Sequence, residues 1–179
     1  DKYADSLLQP IPLDLPKVGG WKEIPIVKPG SGLVEGLVPL GAFSREGGAD
    51  NSDIDTSPVY NGRDNNSPYG TPENRLEGAL SVMFVREGVA KRIRHAQQAL
   101  PEGHYLVVFD AYRPLEVQKA LYDHYSGELK DDQPAWDAEA ISAETQKYVS
   151  LPSEDPTHPS PHNTGGAVDL AIYRLPAQA

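Results

Sequence analysis

The stretch best suited to chemistry runs Ser160-Pro161-His162-Asn163-Thr164-Gly165-Gly166-Ala167-Val168-Asp169-Leu170. His162 sits just before, and Asp169 within, a mostly apolar run over residues 167–173 that reads as a strand. Gly165-Gly166 lets the chain between them turn tightly and approach itself. A loop histidine folded back beside a strand carboxylate offers one imidazole nitrogen and one carboxylate oxygen to a common point, and both are donors that zinc accepts. Asp169 also interrupts Ala167, Val168, Leu170, Ala171 and Ile172, where a carboxylate is costly unless it is paired or metal-bound. Spacing alone leaves a second reading open: an exposed loop histidine, and an aspartate on the wet face of an edge strand.

Composition narrows the chemistry. The chain has 179 residues and no cysteine, so thiolate metal sites, thiol nucleophiles and disulfides are excluded. Any metal must rest on His, Asp or Glu. The net charge is -10, from 26 acidic against 16 basic residues, which argues against nucleic acid and against docking on an anionic membrane. Apolar residues make up 39%, and no apolar stretch approaches the roughly 20 residues of a spanning helix, so no membrane insertion is expected. The compartment stays open, cytoplasm or periplasm and cell envelope alike.

The elements that must position these residues divide the chain in two. Residues 1–75 are rich in proline and glycine and are expected to form an irregular N-terminal extension packed on the core. Ile24-Pro25-Ile26-Val27 and Gly36-Leu37-Val38-Pro39-Leu40 read as short extended segments there, and residues 47–66 read as a polar loop. From Leu76, apolar residues including Leu80, Phe84, Ala90, Ile93 and Leu100 fall near helical spacing, which predicts one helix ending at Pro101-Glu102-Gly103. Arg86 is placed on that helix as a solvating or salt-bridging residue. Tyr105-Leu106-Val107-Val108-Phe109 predicts a buried strand. Pro114 suits the first turn of a second helix, expected to stop near Gly127. Residues 130–133 read as a polar connection, 138–149 as a further helix, and 152–161 as a rigid loop. This order suggests an α+β fold.

Two motifs carry a resemblance. Ser160-x-His162-x-x-Gly165-x-Ala167-x-Asp169 resembles the S-x-H-x-x-G-x-A-x-D signature of the zinc D,D-peptidases. Phe109-Asp110-Ala111-Tyr112-Arg113-Pro114 is similar to the D-x-Y-R-P segment of that family's D-alanyl-D-alanine dipeptidase branch. The resemblance implies a small antiparallel sheet flanked by helices (the zinc D,D-peptidase/Hedgehog-like fold), with residues 76–179 as the larger part of the catalytic domain. It implies zinc as cofactor, His162 and Asp169 as metal ligands, and Arg113 as the catalytic group that stabilises the oxyanion. Ser160, Asp110 and Tyr60 are expected to bind substrate. Asn65, Asn66 and Tyr69 are further candidates by type, and Asp110 has the alternative roles of orienting Arg113 or capping the next helix. His95, His104, His124 and His158 fit no position of the pattern.

The implied activity is hydrolysis of D-Ala-D-Ala or a similar dipeptide in cell-wall metabolism. The alternatives are a D,D-carboxypeptidase or peptidoglycan endopeptidase, and an inactive peptidoglycan-binding remnant. The family's third ligand, a histidine, and its general base, a glutamate, belong to an E-x-x-H motif for which no match follows Asp169. The site is therefore expected to be complete only with a C-terminal fragment of the same protein, held as a second chain. The final strand is then expected at an open sheet edge.

Overall fold

Alternation of buried and half-buried side chains, not helical periodicity, organises the centre of the molecule. The computed structural model describes residues 36–41, 54–155 and 158–174. The extended segment expected at Ile24-Pro25-Ile26-Val27 lies outside them. Strand β1 (Leu37–Leu40) pairs antiparallel with β3 (Met83–Arg86), Leu37 opposite Arg86 and Leu40 opposite Met83. A second sheet has the order β2 (Asp55–Thr56), β4 (His104–Asp110), β5 (Asp169–Arg174). β4 runs parallel to β2 and antiparallel to β5. Three helices complete the described architecture: α1 (Glu87–Ala99), α2 (Leu115–Asp132) and α3 (Ala138–Thr145). The fold is α+β. Its three-stranded sheet is mixed, because β2 enters from the polar loop alongside β4. Among the described residues, β5 lies at an open edge of that sheet.

The long helix expected from Leu80 begins instead at Glu87. Phe84 and Leu80 do fall at helical spacing, yet Met83 and Val85 alternate with half-buried Phe84 and Arg86, as in a strand with one face in the core. Pairing with β1 supplies the backbone partners a helix would otherwise provide. Arg86 is therefore the last residue of β3, and its extended backbone leads into α1.

The second helix starts where Pro114 predicts, at Leu115, with Pro114 as its cap residue. It does not stop near Gly127, and residues 130–132 continue it. A lone glycine costs only about 1 kcal/mol in a helix. Pro134 ends the helix, because the residue before a proline is driven out of the α region; Gln133 sits at φ -128, ψ 63. α3 is shorter than expected. It opens with the Asp137 carboxylate accepting from the Ala140 N–H at 2.8 Å.

Two apolar clusters hold these elements. Leu40, Ile54, Met83, Val85, Ala90, Ile93, Leu106, Val108 and Ala111 pack β1, β3, α1 and β4 together. Leu76, Val117, Leu121 and Val149 pack α2 against the flanking loops, with Tyr60 and Tyr69 beside them. The turn from β4 into α2 runs between the clusters. Among the described residues, no helix is long and apolar enough to cross a membrane.

Two substitutions test this frame. Leu121→Ala leaves a cavity in the second cluster and is expected to lower unfolding free energy by about 2–5 kcal/mol in denaturant titration. Gly165 holds φ +69, and an added Cβ would come within 2.5 Å of the flexible end of Leu37. The left-handed backbone is the larger obstacle, so Gly165→Ala is expected to cost about 1–2 kcal/mol and to lower the melting temperature.

Candidate metal centre

His162 opens a single 3-10 turn, His162–Thr164, that Gly165 closes in the left-handed region. Four hydrogen bonds, two of them between main chains, hold this turn. The Arg113 N–H donates to the His162 carbonyl at 3.2 Å, and the Arg86 N–H to the Gly165 carbonyl at 2.9 Å. Arg86 Nε donates to the Thr164 carbonyl at 2.7 Å. Asn163 Nδ2 donates to the Arg113 carbonyl at 2.6 Å. The turn is thus tied to the end of β3 and to the turn after β4.

Those anchors orient the imidazole. His162 Nδ1 lies 2.9 Å from the Ala111 carbonyl and 3.2 Å from Asp110 Oδ2. A carbonyl only accepts, so Nδ1 carries the hydrogen. The lone pair is then on Nε2, which faces Asp169 Oδ2 at 3.6 Å. Two ligands at about 2.0–2.2 Å from a tetrahedral zinc stand roughly 3.4 Å apart, so this pair fits such an ion. Asp110, His162 and Asp169 each offer one ligand-type atom, all within 4.8 Å of one another, and could together hold a metal ion.

Asp169 is not where the sequence argument put it. It is the first residue of β5 rather than an interior one, and its side chain is 61% exposed. The cost of burying a carboxylate therefore does not apply to it. A register irregularity between Val108 and Asp110 brings Asp110 opposite Asp169 across the β4–β5 ladder. The two carboxylates reach the same site for that reason.

Arg113 and Asp110 form a buried ion pair. Arg113 is 7% exposed and Asp110 5%. Arg113 donates to Asp110 Oδ2 through Nε at 2.9 Å and through Nη2. Its Nη1 donates to Gln118 Oε1 at 2.6 Å and its Nη2 to the Tyr60 hydroxyl at 3.3 Å. The guanidinium also lies over the Tyr60 ring, 5.0 Å from its centroid. Burial pushes the Asp110 carboxyl above the ordinary carboxylate range, against the pull of Arg113 and His162. Burial likewise raises the Tyr60 phenol to about 12, with Arg113 opposing. The Tyr112 phenol is also raised to about 12, by burial and then by Glu116.

The other expected residues divide. Tyr60 reaches Arg113. Ser160 is 4% exposed, and its hydroxyl donates to Asn163 Oδ1 at 2.6 Å. Its proton is thereby engaged inside the turn. Asn65 and Asn66 close their own loop, Asn65 through its N–H to Gly70 and Asn66 through its side chain to Ser57. Tyr69 packs at a tilt against the Tyr60 ring, and its hydroxyl meets His124 Nδ1 at 3.3 Å. His158 pairs with Asp155 on the surface. Sequence reasoning missed Gln118, Asn163 and Arg86. Gln118 and Asn163 are polar residues 1% exposed, and a glutamine one turn into an otherwise core-facing helix stripe was the available signal.

The space enclosed beside Tyr60, Asp110 and Arg113 is only about 10 Å³, room for a single water. Asp169, on the other side of His162, is exposed. A larger groove of about 390 Å³, lined by Tyr122, Trp136 and Ile141 among others, runs between α2 and α3 and shares no residue with the site.

Comparison with known proteins agrees with the two motifs. No family model matches the chain, and no solved structure matches it. The D-alanyl-D-alanine dipeptidase of Synechocystis sp. is 29% identical to it over 116 residues, covering 59% of this chain and 46% of that protein. The matched region thus spans under half the length of that curated relative. The similarity supports a distant relationship to the dipeptidases.

Proposed function

We propose that this chain carries the metal-binding part of a zinc-dependent dipeptidase that hydrolyses D-Ala-D-Ala or a similar dipeptide in cell-wall metabolism. The observation that carries this reading is His162 Nε2 facing Asp169 Oδ2 at 3.6 Å, beside a buried arginine. The named relative supports the dipeptide as substrate class.

His162 and Asp169 would hold the ion. Bound zinc supplies an acidified water and a polarised scissile carbonyl. Arg113 supplies fixed positive charge where the oxyanion forms. Tyr60 keeps its proton at neutral pH and holds the guanidinium plane from one side. We place the remaining ligand and the general base in a C-terminal portion of the same protein, held as a second chain. Two features support that placement. Asp169 is exposed, and Leu170 and Ile172 beside it on β5 are 42% and 55% exposed at an open sheet edge. In the same reading, residues 76–179 form the larger part of the catalytic domain; most of the extension expected over 1–75 lies outside the described residues.

The test, on the protein with that C-terminal portion present, is hydrolysis of free D-Ala-D-Ala against a pentapeptide ending in D-Ala-D-Ala, with zinc content measured in parallel. Hydrolysis of the free dipeptide that a chelator abolishes and zinc restores is the expected result. His162→Ala should lose both metal and turnover. Cleavage untouched by chelator, or by His162→Ala, would sink the reading; cleavage of the pentapeptide alone would replace it with a carboxypeptidase. Arg113→Lys should lower kcat/KM by about 10²–10³-fold while metal content stays unchanged.

Tyr60 also predicts an alkaline limb. Its folded value, about 12, exceeds the ordinary tyrosine value of 10.0. The folded state therefore holds a proton that the unfolded state has lost, so this contribution is intact below pH 10 and disappears as pH rises through 12. Tyrosinate absorbance in the folded protein should show late-titrating phenols from Tyr60 and Tyr112, and Tyr60→Phe should lose one of them.

A further inference from the structure

We propose that Asp110 is not a metal ligand but a positioning residue: one oxygen, Oδ2, gathers Arg113 and His162 into a single frame and so presents His162 Nε2 to the metal beside Asp169. This rests on the metal-dependent reading above and adds a division of labour within the acidic pair.

The two carboxylates address different nitrogens of the same ring. Asp169 Oδ2 faces Nε2, whereas Asp110 Oδ2 faces Nδ1. A metal takes one lone pair from an imidazole, and the Ala111 carbonyl already claims the Nδ1 hydrogen at 2.9 Å. That leaves Nε2, on the Asp169 side. A ligating histidine that donates its other N–H to a carbonyl or carboxylate is the arrangement that fixes tautomer and ring orientation. Asp110 Oδ2 is also crowded with donors, since it receives Arg113 Nε and Nη2 as well as facing Nδ1. An oxygen with three such neighbours has little left to give a cation. Its burial beside Arg113 adds a further constraint: moving Asp110 onto a metal would leave the guanidinium, 7% exposed, without its counter-charge. Asp110 Oδ1 makes no hydrogen bond among the described residues, so ligation through Oδ1 is the rival that the experiment must exclude.

The frame also explains how ligand and arginine keep a common position. Arg113 holds the His162 turn through its main chain, by its N–H to the His162 carbonyl and its carbonyl to Asn163. It holds the His162 ring through Asp110. Loosening Asp110 should therefore move the ring, not merely weaken the fold.

Two readouts, neither of them turnover, test this. Cobalt(II) serves as the probe for metal, because its absorption spectrum reports the ligand set. Asp110→Asn is expected to bind one equivalent with the wild-type spectrum and an affinity lowered about 10–100-fold, whereas Asp169→Asn should change the spectrum. In metal-free, histidine-labelled protein, nitrogen NMR should show a single Nδ1–H tautomer for His162, and a mixture in Asp110→Asn, where the ring shifts from the Ala111 carbonyl and the new amide N–H can donate to Nδ1. An altered cobalt spectrum or lost stoichiometry in Asp110→Asn would make Asp110 a ligand and overturn the proposal. Wild-type affinity together with an unchanged tautomer would overturn it as well. A wild-type protein that takes up no cobalt would sink the metal-dependent function, while a tautomer shift in Asp110→Asn would still uphold the positioning role. Should Asp110→Asn unfold, the charge-balanced pair Asp110→Asn with Arg113→Gln buries no lone cation and is expected to show the same mixed tautomer.

Discussion

The site depends on one buried ion pair, Asp110 with Arg113. Taking two charges out of water carries a desolvation penalty of several kcal/mol per ion, and their attraction offsets it only where geometry and extra hydrogen bonds are good. Here the extra bonds are present. Gln118 and Tyr60 take further guanidinium hydrogens, and His162 Nδ1 lies 3.2 Å from the same carboxylate oxygen that Arg113 binds. Gln118 in turn donates to the Ser150 carbonyl at 2.6 Å, which ties α2 to the chain that follows α3. Removing either charge would strand the other, so the turn between β4 and α2 has little freedom to move.

That turn is held from both sides by apolar packing. Ala111 belongs to the first cluster and Val117 to the second, so the residues between them are suspended across the boundary. Polar groups there are shielded from water, which makes each satisfied hydrogen bond stronger and each unsatisfied one more expensive. The His162 turn docks onto this boundary by its backbone. Asp169, by contrast, projects from the exposed start of β5. The site accordingly has a buried half carrying Arg113 and Asp110, and an exposed half at Asp169.

Legibility varied with the range of the interaction responsible. The apolar run of β4 and the proline before α2 were readable because steric and burial rules act locally. The start of α1 was misread because Leu80 and Phe84 satisfy a helical period by coincidence, while pairing with β1, far away in sequence, decides the outcome. The end of α2 lies beyond Gly127 because a helix tolerates a lone glycine, and Pro134 is what stops it. At the site, the types of Ser160, Asp110 and Tyr60 suggested direct contact with substrate. The structure engages the Ser160 hydroxyl with Asn163, and Asp110 with Arg113, the alternative role its position also allowed. Nothing in their local spacing distinguishes these arrangements.

The sequence by itself determined the chemistry available: no thiolate, one histidine and one aspartate separated by a glycine pair, and an arginine on a strand-to-helix turn. It also determined the elements whose boundaries rest on short-range sterics. Only the tertiary structure decided that Asp110 would stand opposite Asp169, that His162 would carry its hydrogen on Nδ1, and that Asp169 would face water rather than the core. Those outcomes follow from the β4–β5 register and from a carbonyl placed 2.9 Å from one ring nitrogen. Register and carbonyl direction are properties of chain segments brought together from far apart, and no local pattern of residues encodes them.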